Sequence, residues 1–127
     1  SALTDNASPA QPAKVINISS VDGIRRCYND TPSYVASKAG LIQLTKHQAL
    51  KLVRRNIVVS GIAPGPFASE MNRVARDTPE DMIKYIPSRR IGTWEDMAGA
   101  AVFLASRAGD YVVGETIIVD GGVTHAS

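Results

Sequence analysis

A single cysteine, Cys27, stands among 127 residues. One thiol cannot close an internal disulfide, and such a composition suits a reducing, cytoplasmic compartment. Neither sign of charge is in excess, since 14 Lys and Arg against 12 Asp and Glu leave a formal charge of +2. The pairs Arg25-Arg26, Arg54-Arg55 and Arg89-Arg90 are scattered, with no basic stripe carrying interleaved aromatics, which argues against a nucleic-acid partner. No apolar run approaches the roughly 18 residues of a membrane span, and no signal peptide is visible. His47 and His125 are isolated, so no metal-ligand cluster is expected. Internal repeats and low-complexity tracts are absent. What is present, 44% hydrophobic and 20% charged residues, fits one globular domain with one core. The chain opens on Ser1 rather than Met, and residues 1–13 read as a polar loop or linker with turn chemistry at Ser8-Pro9 and Gln11-Pro12. The expectation is a piece of a longer protein, or a processed one.

Hydrophobic periodicity divides the remainder. Residues 14–19 are short and β-branched, which predicts a strand. Val21-Asp22-Gly23 is a turn signal, and residues 24–31 are irregular. Thr31-Pro32 predicts a capped helix start, and the helix runs from Pro32 or Ser33 to about Arg54. Its apolar and small positions are Ala39, Ile42, Ala49, Leu52 and Val53, while Ala36 and Gly40 form a small patch that another backbone could approach. Asn56 predicts the C-terminal cap. Residues 57–62 are almost continuously apolar, as in a strand covered on both faces, and Ala63-Pro64-Gly65-Pro66 ends it. Two short helical patterns follow, near residues 70–76 and 79–86, and Thr93-Trp94-Glu95-Asp96 opens a helix that ends near Ser106. Residues 115–119 form the third strand, closed by Asp120-Gly121-Gly122. Strands alternating with helices predict right-handed crossovers and a parallel sheet.

One helical turn carries distinctive chemistry. Tyr34 and Lys38 stand at i and i+4, on one face of the predicted helix. A free tyrosine titrates near pH 10. A cation held beside a phenol favours the phenolate, so the spacing can build an acid/base group from two ordinary residues. In parallel sheets, ligands bind beyond the C-terminal ends of the strands. Ser20 ends the first strand, Pro64-Gly65 ends the second, and the helix of Tyr34 and Lys38 begins on that same edge.

These residues resemble the short-chain dehydrogenase/reductase family, over nearly the whole stretch from Val15 to Val123. Val15-Ile16-Asn17-Ile18-Ser19-Ser20 is similar to the strand bearing that family's catalytic serine, and Tyr34-Val35-Ala36-Ser37-Lys38 to its Tyr-x-x-x-Lys segment. Ile62-Ala63-Pro64-Gly65 resembles the loop beside the nicotinamide, while Arg90-Ile91-Gly92 and Val119-Asp120-Gly121-Gly122 resemble its C-terminal landmarks. The subgroup most similar is that of 3-oxoacyl-carrier-protein reductases and related sugar, polyol or steroid oxidoreductases. The resemblance implies an α/β fold, the C-terminal half of a Rossmann-type doubly wound parallel sheet. It implies hydride transfer between NAD or NADP and a carbonyl or secondary-alcohol substrate. Tyr34 would be the acid/base, Lys38 would assist it and hold the nicotinamide ribose, and Ser20, favoured over Ser19 by spacing, would bind the substrate oxygen. Pro64, Gly65, Phe67 and Ser69 would contact the cofactor, with Ser69 where the family usually has threonine. Ser60 departs from the family's usual asparagine. Residues 67–90 resemble its substrate lid, where Met71, Met82 and Tyr85 are candidate lining residues. Related enzymes are commonly homodimers or homotetramers.

The family's glycine-rich pyrophosphate turn, its Asn-Asn-Ala-Gly segment and its catalytic asparagine have no counterpart in these 127 residues. The expected partner is therefore an N-terminal half of the same enzyme. The alternative is a non-catalytic half-domain that serves as an assembly or binding module. An extended epimerase or dehydratase is disfavoured, because five residues after Gly122 leave no room for a larger substrate domain.

Overall fold

A computed structural model describes residues 2–27, 29–70 and 72–126. It contains α1 (Ala2–Asp5), β1 (Ala13–Ile18), α2 (Pro32–Leu52), β2 (Ile57–Pro64), α3 (Arg73–Asp77), α4 (Pro79–Ile83), α5 (Trp94–Ala105) and β3 (Thr116–Val119), with single 3-10 turns at Val21–Gly23, Val53–Arg55 and Arg107–Gly109. Within the expected loop, Ala2–Asp5 form one helical turn, residues 6–12 are irregular with an antiparallel bridge between Ser8 and Gln11, and Ala13 already belongs to β1.

The strands form a parallel sheet in the order β1-β2-β3. Ala13 pairs with Ile57 through to Ile18 with Ile62, and Gly61 with Thr116 through to Pro64 with Val119. The α/β parallel-sheet class expected from sequence is the one observed. Strand β2 is central, and seven of its eight residues are buried. Its unbroken apolar run is explained by cover on both faces. On one face, Ala13, Val15, Ile57 and Val59 pack with Ala49 and Leu52 of α2. On the other, α5 crosses all three strands and buries Leu104 completely. Fully burying a side chain of that size contributes roughly 1.5–3 kcal/mol.

Helix α2 starts at Pro32 as expected, but Thr31 makes no side-chain capping bond; proline at the first turn sets the start. Its buried positions are Thr45 and Ala49, whereas Ala36, Ala39 and Gly40 are exposed and Gly40 has nothing within 4 Å of where a side chain would begin. The expected stripe is kept in part: Ala49 and Leu52 pack on the sheet, whereas Ala39 and Val53 are exposed. Asn17 adds a polar contact to this packed face, since its amide donates to Thr45 Oγ1 and Gln48 Oε1, both at 3.0 Å. A polar side chain inside the sheet must find partners, and these lie on the Thr45–Gln48 side of the helix. Asn56 caps the following turn in the left-handed region, φ 58°, which asparagine tolerates. Among the described residues, no helix is long and apolar enough to cross a membrane, and no cluster of three or more His, Cys, Asp or Glu could hold a metal ion.

Candidate active site

Strand β1 carries two adjacent serines to the C-terminal rim of the sheet, and their environments differ. Ser19 extends the ladder: its N–H donates to the Ile62 carbonyl at 2.8 Å, and its hydroxyl donates to the same oxygen at 3.1 Å. Ser20 leaves the ladder in extended conformation and starts the 3-10 turn Val21–Gly23. Its Oγ accepts from the Asp22 N–H at 3.2 Å, so its own proton remains for another acceptor.

Tyr34 and Lys38 lie in the first turns of α2, with the Lys38 Nζ 5.6 Å from the Tyr34 ring centroid, a cation–π distance. The ammonium also donates to the Ile18 carbonyl at 3.1 Å. That carbonyl belongs to the outer edge of β1. The Ala13 and Ser19 N–H groups bond towards β2, so the alternate residues Lys14, Ile16 and Ile18 present their backbone groups to the opposite side. An ammonium has three donors, and with one on Ile18 two remain for an oxygen-rich ligand. This donor set, beside an unspent serine proton and a phenol, fits a ribose diol and a substrate oxygen.

The remaining predicted residues occupy the loop after β2. Pro64 ends the strand opposite Val119, and the Gly65 N–H donates to the Val119 carbonyl at 2.9 Å. A Cβ on Gly65 would stand 2.4 Å from the Asp120 Cβ, so only glycine fits there. Phe67 bridges in parallel to Gly92, whose N–H donates to the Pro66 carbonyl at 3.0 Å; the two ends of the 67–90 segment are thereby stitched together. The Ser69 hydroxyl oxygen accepts from the Asn72 N–H at 3.0 Å and closes the turn before α3. Phe67 and Ser69 are thus engaged in local structure. Met82 accepts a weak bond from the Asn72 amide at 3.8 Å, and Tyr85 is 73% exposed. Met71 lies outside the described residues.

A cavity of about 310 Å³ opens at the C-terminal ends of β2 and β3, lined by Pro66, Phe67, Arg90, Asp96, Asp120 and neighbouring glycines. Ser20, Tyr34 and Lys38 do not line it. Its charged groups are already engaged within the fold. Arg90 grips Asp96 through two bonds of 2.5 and 2.8 Å, and Asp96 also accepts from the Thr93 N–H at 2.8 Å, capping α5. The guanidinium, then that N–H, hold the Asp96 carboxyl well below the usual carboxylate range. Partial burial works against ionising Asp120, but the bonds it accepts from Thr124 and Gly122 outweigh this and lower its pKa. The Thr93–Asp96 helix start and the Asp120-Gly121-Gly122 closure are legible in the sequence, but the Arg90–Asp96 pair and the bonds Asp120 accepts from Gly122 and Thr124 are not.

A family profile described as enoyl-(acyl carrier protein) reductase matches residues 2–124. A 3-oxoacyl-(acyl-carrier-protein) reductase of Chlamydia pneumoniae is 38% identical over 117 residues, covering 91% of this chain and 47% of that protein. A rhamnolipid-biosynthesis 3-oxoacyl-(acyl-carrier-protein) reductase of Pseudomonas aeruginosa is 42% identical over 123 residues, covering 94% and 48%. Among solved structures, the P. aeruginosa RhlG/NADP active-site complex superposes with a TM-score of 0.89 at 43% identity, covering 96% of this chain and 50% of that one. A gluconate 5-dehydrogenase from Burkholderia cenocepacia, in complex with NADP and tartrate, gives 0.83 at 39%, covering 91% and 46%. The chain thus spans about half the length of the relatives it matches. Sheet order, the Tyr34–Lys38 turn and these matches agree that the chain belongs to the short-chain dehydrogenase/reductase family.

Proposed function

We propose that this chain is the acid/base-bearing C-terminal part of an NAD(P)-dependent oxidoreductase that interconverts a carbonyl and a secondary alcohol. The observation that carries the reading is the placement of Lys38, held between the Tyr34 ring and the Ile18 carbonyl two residues before Ser20. The nicotinamide, when bound, supplies or takes up the hydride. Tyr34 gives its phenolic proton to the carbonyl oxygen during reduction and takes it back during oxidation. Lys38 stands over the Tyr34 ring and holds ribose hydroxyls with its two remaining donors. Ser20 donates its hydroxyl proton to the substrate oxygen as negative charge grows there. Pro64 and Gly65 shape the wall beside the cofactor, and residues 67–90 form the substrate lid. The relatives named for 3-oxoacyl-carrier-protein reduction, and the structural neighbours complexed with NADP, support this substrate class and cofactor. The dinucleotide's phosphates fall to an N-terminal half, consistent with the half-length matches. Trp94 and Val102 of α5 are 73% and 66% exposed, which supports a second copy of the enzyme as a further partner.

The test is NADH and NADPH oxidation by the full-length protein over β-keto esters, sugars and steroids, with Tyr34→Phe alongside. The substitution is expected to lower kcat by roughly 10²–10⁴-fold, the contribution of a positioned general acid/base. Full activity in Tyr34→Phe removes the assignment.

A further inference from the structure

We infer that Gly23 is a positioning residue that sets the distance of Ser20 from the Tyr34–Lys38 turn. The inference rests on the catalytic roles proposed above. Gly23 closes the 3-10 turn that Ser20 begins, and it lies directly on the backbone of α2. A Cβ at this position would stand 2.6 Å from the Lys38 carbonyl carbon, 2.7 Å from the Ala39 nitrogen and 2.9 Å from the Lys38 oxygen. These are main-chain atoms inside a 21-residue helix, so they cannot rotate aside as a side-chain tip could. Gly23 is not among the residues with positive φ. Close approach, rather than backbone conformation, is what demands glycine here.

The turn is knit tightly enough to carry Ser20 with it. The Asp22 N–H donates to Ser20 Oγ at 3.2 Å, and the Gly23 N–H to the Ser20 carbonyl at 3.0 Å. The Ile24 and Arg25 N–H groups both donate to the Val21 carbonyl, at 2.9 and 2.8 Å, and Arg25 pairs with Asp22 at 3.3 Å. Val21 is buried beneath the turn. Pushing Gly23 off α2 therefore pushes Ser20 as well. Lys38 is meanwhile held from its other end by the Ile18 carbonyl. Two struts thus fix the constellation, one from the Lys38 ammonium to β1 and one from the Lys38 main chain to the Ser20 turn. An added methyl must open the second strut by about 1 Å, and a misplacement of that size costs on the order of 10²-fold in rate.

The test is a four-member cycle in the full-length enzyme: wild type, Gly23→Ala, Ser20→Ala and the double variant. Gly23→Ala is expected to lower kcat by roughly 10- to 100-fold, with KM for NADPH unchanged. In the Ser20→Ala background it is expected to cost nothing more, because the group it positions is gone. Gly40→Ala, on the same helix with nothing within 4 Å, is expected to keep wild-type kcat. If the two losses multiply in the double variant, or if Gly23→Ala keeps full kcat, Gly23 does not act through Ser20. If Ser20→Ala itself keeps full kcat, the proposed catalytic role fails first and the inference falls with it. Should Gly23→Ala not yield folded enzyme, Val21→Ala loosens the same turn without the clash. It is then expected to lower kcat in the Ser20 background only, and a loss that persists in Ser20→Ala overturns the inference.

Discussion

Ser19 and Ser20 are chemically identical neighbours that the fold puts to different uses. The Ser19 hydroxyl donates to the Ile62 carbonyl and is part of the sheet, whereas Ser20 keeps its proton at the rim. Ser19→Ala is therefore expected to lower stability by about 1 kcal/mol, the net worth of one intramolecular hydrogen bond, while kcat holds. Ser20→Ala is expected to leave the melting temperature near wild type and to lower kcat by roughly 10²–10³-fold, as loss of a charge-stabilising donor does. Thermal melts and steady-state kinetics on the full-length protein separate the two; the reverse pattern would move the substrate-oxygen role to Ser19. Tyr34 and Lys38 were legible in the sequence because helical spacing alone puts i and i+4 on one face. The anchoring of Lys38 on the Ile18 carbonyl was not, because it joins positions 20 residues apart through the choice of which β1 carbonyls face outward.

Among the elements, the strands and long helices follow their periodicity to within a few residues, and the loops between them do not. Strand β2 runs on to Pro64, past its expected end at residue 62, because Gly61–Pro64 pair with β3. Prolines and glycines signal that a turn occurs, but the partner of each close approach comes from elsewhere in the chain. Gly65 is an instance: it makes room for the Cα and Cβ of Asp120, whose carboxylate organises the next turn through Gly122 and Thr124. Gly65→Ala is expected to destabilise the full-length protein by about 1–3 kcal/mol, the usual cost of overpacking, because the obstructing atoms include main chain. Denaturant melts check this against Gly40→Ala, whose site is open. A Gly65→Ala protein as stable as wild type would show that the β2 and β3 loops separate without cost. The Phe67–Gly92 bridge belongs to the same set of approaches, with the Phe67 ring set against the open face of Gly92.

For the molecule as a whole, the decisive feature is the outer edge of β1. Among the described residues no strand pairs there, while Lys14, Ile16 and Ile18 turn their backbone groups outward and Ile18 is 47% exposed. An unpaired edge with apolar side chains is a template for association. Purified residues 1–127 are expected to elute as self-associated species and to bind NADPH weakly. Size-exclusion chromatography with light scattering and a fluorescence titration check both points; a monomeric, cooperatively unfolding chain that binds NADPH tightly contradicts the expectation. The half-length matches to the relatives are consistent with another segment covering this edge in the full protein.

Local periodicity and composition were enough to reveal the α/β alternation, the apolar central strand and the Tyr34–Lys38 pair, since each depends on residues within one or two turns of one another. Which serine is free, which helix residues partner Asn17 and why Gly23 and Gly65 must be glycine were decided by tertiary structure. These depend on contacts between segments that chain connectivity leaves far apart: Asn17 with Thr45, Ser19 with Ile62, Gly23 with Lys38 and Gly65 with Asp120. Sequence spacing constrains neighbours along the chain, and only packing determines the rest.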